Sequence, residues 1–299
     1  MAAAVDRSAS RETARGVVRS RRVDRRLRRD GFAVVPALDA VAAADLAATY
    51  RRLRPGPGAG FDADLNNEDR GYRRRASTAI GDAVDGVAAR LFTDHRPFLR
   101  VFLCKWPGAD SGLYLHRDWM YVDERAGHRS FVLWVPLTDV TGHEGQLRVL
   151  RGSHRLDPSI RGSLLTAPWL RHEEVIEERL EAVPVRAGEA IIFDNALVHC
   201  SHPNHTSSPR LVAAVGMRPA EASLTYFRRD GEQAARFDVD DDFFLSITPA
   251  ELEAAPPTDR DPVEVLDAAP LDLTASELAR ALDAVRRGPR SLVASLARS

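Results

Sequence analysis

Two cysteines in 299 residues, Cys104 and Cys200, are too few for a disulfide framework, which removes the small cross-linked secreted fold from consideration. Nor does any apolar run approach the roughly twenty residues that a membrane span needs. Net charge is scarce as well. A formal -1 with a pI near 6.8 gives neither the basic excess of a nucleic-acid binder nor the acidic excess of a solvating tail, so the expected partner is a small molecule. Lysine is almost missing: Lys105 is the only one among 42 Lys and Arg residues, which with the abundance of alanine reads as codon bias, and arginine runs therefore carry little weight. The first thirty residues hold many arginines with Ser8, Ser10 and Ser20, yet Asp6, Glu12, Asp24 and Asp30 are wrong for a transit peptide, and no apolar centre marks a secretory signal. They read as a solvated or helical arm, and the cytoplasm is the expected compartment.

What is present suffices for a core, with 44% hydrophobic residues. Gly31 to Pro36 reads as a short strand, and Asp39 caps an alanine-rich helix running to about Leu53. Residues 54–75 contain Pro55-Gly56-Pro57-Gly58 and Asn66-Asn67-Glu68-Asp69, too polar and too broken for a core element, and are expected to form a lid. Ile80, Val84, Val87 and Leu91 have helical spacing. From 98 to 218 short apolar runs alternate with turn signals, the pattern of an antiparallel sandwich or barrel. Residues 219–299 are expected to be a helical extension packed on the core or on a second subunit. Thr248 with Glu251 and Thr274 with Glu277 make capping boxes, and Leu278, Ala281, Leu282 and Val285 form an apolar stripe ending at Gly288-Pro289. A homodimer through these helices is one outcome of that pattern. The acidic run Asp238, Asp240, Asp241 and Asp242 reads as solvated surface.

The chemistry-bearing stretch is Leu113 to Trp119, set between the strand-like runs Val101–Cys104 and Ser130–Val135. Residues two apart in a strand share a face, so His116 and Asp118 point one way and Arg117 the other. An imidazole beside a carboxylate is half of a facial triad, the arrangement that holds ferrous iron and leaves positions open for chemistry. A lone His-x-Asp is a common accident. The missing half lies some eighty residues on, where a strand ending at His199, a Pro203-Asn204 turn and a second strand from Arg210 make a hairpin. Of His199, His202 and His205, strand alternation favours His199, which shares a face with Ser201.

In order and spacing the chain resembles the phytanoyl-CoA dioxygenase family of iron(II)- and 2-oxoglutarate-dependent oxygenases. The matching motifs are His116-Arg117-Asp118, Trp134 to Asp139, Gly145-Gln146-Leu147 running to Gly152-Ser153-His154, Gly188-Glu189-Ala190 to Asp194, and His199-Cys200-Ser201 to Arg210. They cover roughly residues 30–218, with Glu144 standing where asparagine is usual and Cys200 where glycine is usual. The resemblance implies a mainly β fold with flanking helices around a double-stranded β-helix (jelly roll) over residues 31–218. It implies iron held by His116, Asp118 and His199, and 2-oxoglutarate held by Arg210 with Ser201 and Trp134 lining the same pocket. A planar guanidinium suits a carboxylate in a two-pronged pair. Trp134 reads equally well as plain core, and Ser153 and His154 as fixing a loop.

The implied reaction consumes dioxygen, releases succinate and carbon dioxide, and oxidises a positioned carbon of a small metabolite or natural-product intermediate. An aspartate at 118, where halogenating relatives carry alanine or glycine, favours hydroxylation, with desaturation, cyclisation and epimerisation left open. Tyr114, Trp119, Met120 and Tyr121 are expected to face the cavity, with Arg73, Arg74 and Arg75 on the lid. Two rivals stand beside this reading: a metal-free binding module, which needs none of the four polar residues, and a cupin-type enzyme without 2-oxoglutarate, which does not need Arg210.

Overall fold

The computed structural model describes residues 16–287; the first half of the expected N-terminal arm and the Gly288-Pro289 stop lie outside the described residues. In chain order the elements are α1 (Arg21–Asp30), β1 (Phe32–Pro36), α2 (Ala40–Leu53), β2 (Phe61–Ala63), α3 (Arg70–Leu91), β3 (His95–Lys105), β4 (Leu113–His116), β5 (Phe131–Pro136) and β6 (Leu147–Val149). They continue as α4 (Glu173–Glu177), β7 (Glu181–Val183), β8 (Glu189–Asp194), β9 (His199–Ser201), β10 (Arg210–Pro219), β11 (Leu224–Asp230), β12 (Gln233–Val239), α5 (Phe243–Ser246), α6 (Pro249–Ala254), β13 (Glu264–Asp267) and α7 (Ala275–Arg287). Two antiparallel sheets face each other as a jelly roll, one of six strands in the order β1-β8-β5-β10-β3-β2 and one of four in the order β4-β9-β6-β7.

Strand β10 explains why the larger sheet is so apolar. All ten of its residues are buried, because helices cover its outer face and the smaller sheet its inner one. Leu211, Ala213 and Val215 pack outward with Ile80, Val84 and Ala88 of α3, while Val212 and Ala214 pack inward. Arg210 has the inward parity, and a one-residue slip in register would send it to the helical side.

Three expectations change. The segment 54–75 carries regular structure of its own where only a broken loop was expected: β2 extends the large sheet beside β3, and the buried Asp64 carboxylate accepts from Phe102 N at 2.9 Å and from the Tyr72 hydroxyl at 2.6 Å. Asp69 then caps α3 by accepting from Tyr72 N at 3.0 Å, so that helix begins nine residues earlier than its apolar spacing suggests. The segment after 219 is mixed: β11 and β12 open it, α5 and α6 follow, and β13 returns to pair with β12 and complete a three-stranded sheet before α7. The two-residue loop Gly231-Glu232 joins β11 to β12, and Gly231 takes φ +60° there.

The C-terminal capping boxes form at both Thr248 and Thr274. The α7 stripe is buried inside the same chain against Leu150, Trp169, Ile176 and Val198. With roughly 1.5–3 kcal/mol for each large apolar side chain removed from water, this docking holds the helix without a second copy. Among the described residues, no helix is long and apolar enough to cross a membrane.

Candidate metal centre

Antiparallel pairing of β4 with β9 sets His116 directly opposite His199, and the two imidazole centroids stand 4.1 Å apart. Asp118 follows in irregular backbone just past the end of β4. One ligating atom from each of the three lies within 4.8 Å of the others. The ring tautomers follow from the backbone. His116 Nδ1 donates to the Tyr114 carbonyl at 2.9 Å and His199 Nδ1 to the Leu197 carbonyl at 3.0 Å, so each ring carries its lone pair on Nε2. Burial, with His199 alongside, pushes the His116 imidazolium down to about 3, which keeps the ring neutral. Burial moves Asp118 upward against the pull of His199, Arg161 and the Asn195 amide. Two neutral imidazoles and a carboxylate oxygen are a donor set suited to a divalent transition metal.

The three donors line a cavity of about 200 Å³ between the two sheets. Arg210, Ser201 and Trp134 line the same cavity. The Arg210 guanidinium is 3% exposed and lies 5.3 Å from the Trp134 ring. It donates to the Gly145 carbonyl at 3.3 Å, its Nε has no partner, and among the described residues it makes no ion pair. Burial lowers its pKa to about 10, so it stays charged. A buried cation without a counter-charge is costly, and that cost falls when an anion occupies the cavity. Gly145 presents its carbonyl from φ +80°, a conformation glycine adopts without strain, and a Cβ there would meet the His202 carbonyl at 2.7 Å and the Lys105 side chain at 2.8 Å.

The other expected residues fall into separate groups. His202 and His205 are exposed, and Arg148 reaches the ring of His202 at 2.9 Å. Ser153 fixes a loop, its hydroxyl accepting from Val198 N at 2.9 Å just before His199. Tyr121 lines the cavity, with its ring 5.0 Å from both Phe98 and Phe244. Tyr114 is 77% exposed. Met120 is buried and Trp119 packs on Tyr226, so neither faces the cavity. The three arginines of the expected lid do not face it either: Arg73 is buried and donates to the Leu245 carbonyl at 2.8 Å, Arg74 pairs with Asp242, and Arg75 with Asp69. Sequence reasoning missed Phe98, Phe193 and Asn195, all on the cavity wall. A signal existed for Asn195, a polar residue following the six apolar or acidic positions of β8 and standing four before His199.

The family model for phytanoyl-CoA dioxygenase (PhyH) matches residues 27–212. The chain belongs to the phytanoyl-CoA dioxygenase family. It is accordingly an enzyme of the iron- and 2-oxoglutarate-dependent class. Among solved structures, the epimerase SnoN in complex with Fe3+, alpha-ketoglutarate and nogalamycin RO is 27% identical, with a TM-score of 0.52 over 85% of this chain and 96% of that one. The non-heme alpha-ketoglutarate-dependent carbocyclase SnoK from nogalamycin biosynthesis is 20% identical, with a TM-score of 0.55 over 86% of this chain and 94% of that one, a likeness of fold alone. No curated protein sequence matches the chain.

Proposed function

We propose that this member of the phytanoyl-CoA dioxygenase family binds ferrous iron through His116, Asp118 and His199, binds 2-oxoglutarate through Arg210, and hydroxylates an unactivated carbon of a small natural-product intermediate. The observation that carries the reading is the pairing, in one cavity, of a three-donor cluster with a buried guanidinium that has no counter-charge. When bound, ferrous iron with 2-oxoglutarate and dioxygen supplies hydrogen abstraction, with release of succinate and carbon dioxide. The remaining work belongs to the side chains. His116 and His199 present Nε2 lone pairs, and Asp118 presents an anionic oxygen. Arg210 would hold the distal carboxylate of 2-oxoglutarate through its guanidinium N–H groups, with the Ser201 hydroxyl as a further donor on the same wall. Trp134 covers the guanidinium and excludes water from that pair.

Beyond these groups the cavity wall is largely apolar, with Phe98, Leu99, Val101 and Leu103 among its residues and the Tyr121 hydroxyl and the Asn195 amide as its polar contributions. This favours an uncharged substrate face, and the family name gives no ground here for a coenzyme A thioester. Stereochemical inversion without oxygen insertion is the second reading, favoured by the likeness to SnoN. The proposed setting is the cytoplasm, in keeping with two free, buried cysteines. The test is a metabolite screen scored by succinate release, followed by turnover under 18O-labelled dioxygen. One labelled oxygen in the product is the expected result; an unlabelled stereoisomer transfers the assignment to the second reading, and the absence of iron-dependent 2-oxoglutarate turnover refutes both.

A further inference from the structure

His116 and His199 are held by a β-ladder, whereas Asp118 stands outside any regular element and needs some other restraint. The geometry points to Asn195 as that restraint: we infer that it is the positioning residue that fixes Asp118 as a one-oxygen metal ligand. The inference rests on the metal reading above and deepens it.

Asn195 follows directly on β8, is wholly buried, and lines the cavity. Its Nδ2 donates to Asp118 Oδ2 at 3.1 Å. Because an ionised carboxylate only accepts, the amide has one workable orientation, and its Oδ1 is left without a hydrogen-bond partner among the described residues. A buried acceptor with nothing to accept is destabilising, and an apolar side chain would avoid that cost, so folding alone does not favour asparagine here. The benefit is at Asp118. With Oδ2 engaged by the amide, Oδ1 is the oxygen left for a metal, 3.8 Å from His116 Nε2. One-oxygen ligation leaves three of six positions for 2-oxoglutarate and dioxygen, and a carboxylate binding through both oxygens would take one of them. Asn195 is itself anchored, its backbone N–H donating to the Ser130 carbonyl at 3.2 Å. A second restraint reaches Asp118 through the backbone, where the buried Arg161 donates from Nε to the Asp118 carbonyl at 2.9 Å while pairing with Glu124.

The test is an anaerobic titration of the full chain with cobalt(II) and iron(II), then with 2-oxoglutarate, comparing native protein with Asn195→Leu and Asp118→Ala. Asn195→Leu is expected to lower metal affinity about 10-fold and to shift the visible absorption band of the iron(II)–2-oxoglutarate complex. Asn195→Asp, equal in volume but without a donor, supplies the second arm and is expected to weaken metal binding as well. Native affinity and an unshifted band in Asn195→Leu, or native or tighter metal binding in Asn195→Asp, overturns the inference while the metal reading stands. Native metal binding in Asp118→Ala overturns the metal reading itself.

Discussion

The cavity has two unlike ends. At the start of β10 stands Arg210, which shares the cavity wall with Trp134 of the adjacent β5 and Ser201 of β9 in the facing sheet, one charged side chain and two polar-tipped ones. Six residues along the same strand, about 20 Å at 3.4 Å per residue, Gly216 faces Phe98, with Tyr121 and Phe244 beyond it. A Cβ at Gly216 would meet the Phe98 ring at 2.6 Å, so glycine is what lets that ring in. The first end is specified by hydrogen-bond geometry and charge, the second by shape. This difference accounts for which parts of the function a sequence can disclose: an arginine eleven residues after a histidine is a sharp signal, whereas an aromatic wall collected from β3, the β4–β5 connection and α5 has none.

The comparison is broken most forcefully at the metal cluster. Asp118→Ala is expected to abolish substrate-driven succinate formation, and full turnover in that variant would refute the assignment. Next comes the guanidinium. Arg210→Lys keeps a positive charge but loses the two-pronged geometry, and 2-oxoglutarate affinity should fall by about 2 kcal/mol, roughly 30-fold, with metal affinity unchanged. Equal affinity would mean that Arg210 is only a buried core charge. Ser153→Ala removes the acceptor for Val198 N and should lower stability by about 1–3 kcal/mol in urea unfolding, since the β9 backbone is then left with an unpaired N–H.

A pH effect separates the histidines from the arginine end. Burial pushes His116 down to about 3 and His154 to about 4, so between pH 6.5 and 4 the unfolded chain takes up protons that the folded one refuses. The folded pKa values are depressed, hence this contribution is fully present above pH 6.5 and is lost as pH falls. Urea midpoints of the metal-free protein should decline across that window, and less steeply in His154→Gln; parallel slopes would reject the account of His154. The smallest effect is at the apolar end. Tyr121→Phe should raise the substrate KM a few-fold and leave 2-oxoglutarate affinity as it was, whereas a change in both would place Tyr121 at the wrong end of the cavity.

Much of the scaffold was legible for physical reasons that can be named. Alternation in β10 fixes which of its side chains face inward, and three threonine or aspartate caps mark helix starts, but the hairpin expected at Pro203-Asn204 is a crossing between sheets, β9 pairing with β4 and β6 and β10 with β3 and β5. The missed features share a different cause. Strands β11 and β12 are held on the core by packing of Tyr226 on Trp119, a contact between distant segments that no local pattern encodes. Asn195 escaped notice because its partner lies 77 residues away. The arginines at 73–75 carry little functional weight, as expected in so arginine-rich a chain: Arg74 and Arg75 are helix surface, and only Arg73 differs, as a buried strut holding the Leu245 carbonyl.

The central claim is that one cavity joins a metal-binding triad to a carboxylate-binding guanidinium. Calorimetric titration of 2-oxoglutarate into anaerobic protein, with and without iron(II), addresses it directly. The account predicts tight binding only when iron(II) is present, lost in His199→Ala and weakened in Arg210→Lys; binding that is equally tight without metal, or indifferent to both substitutions, would contradict it.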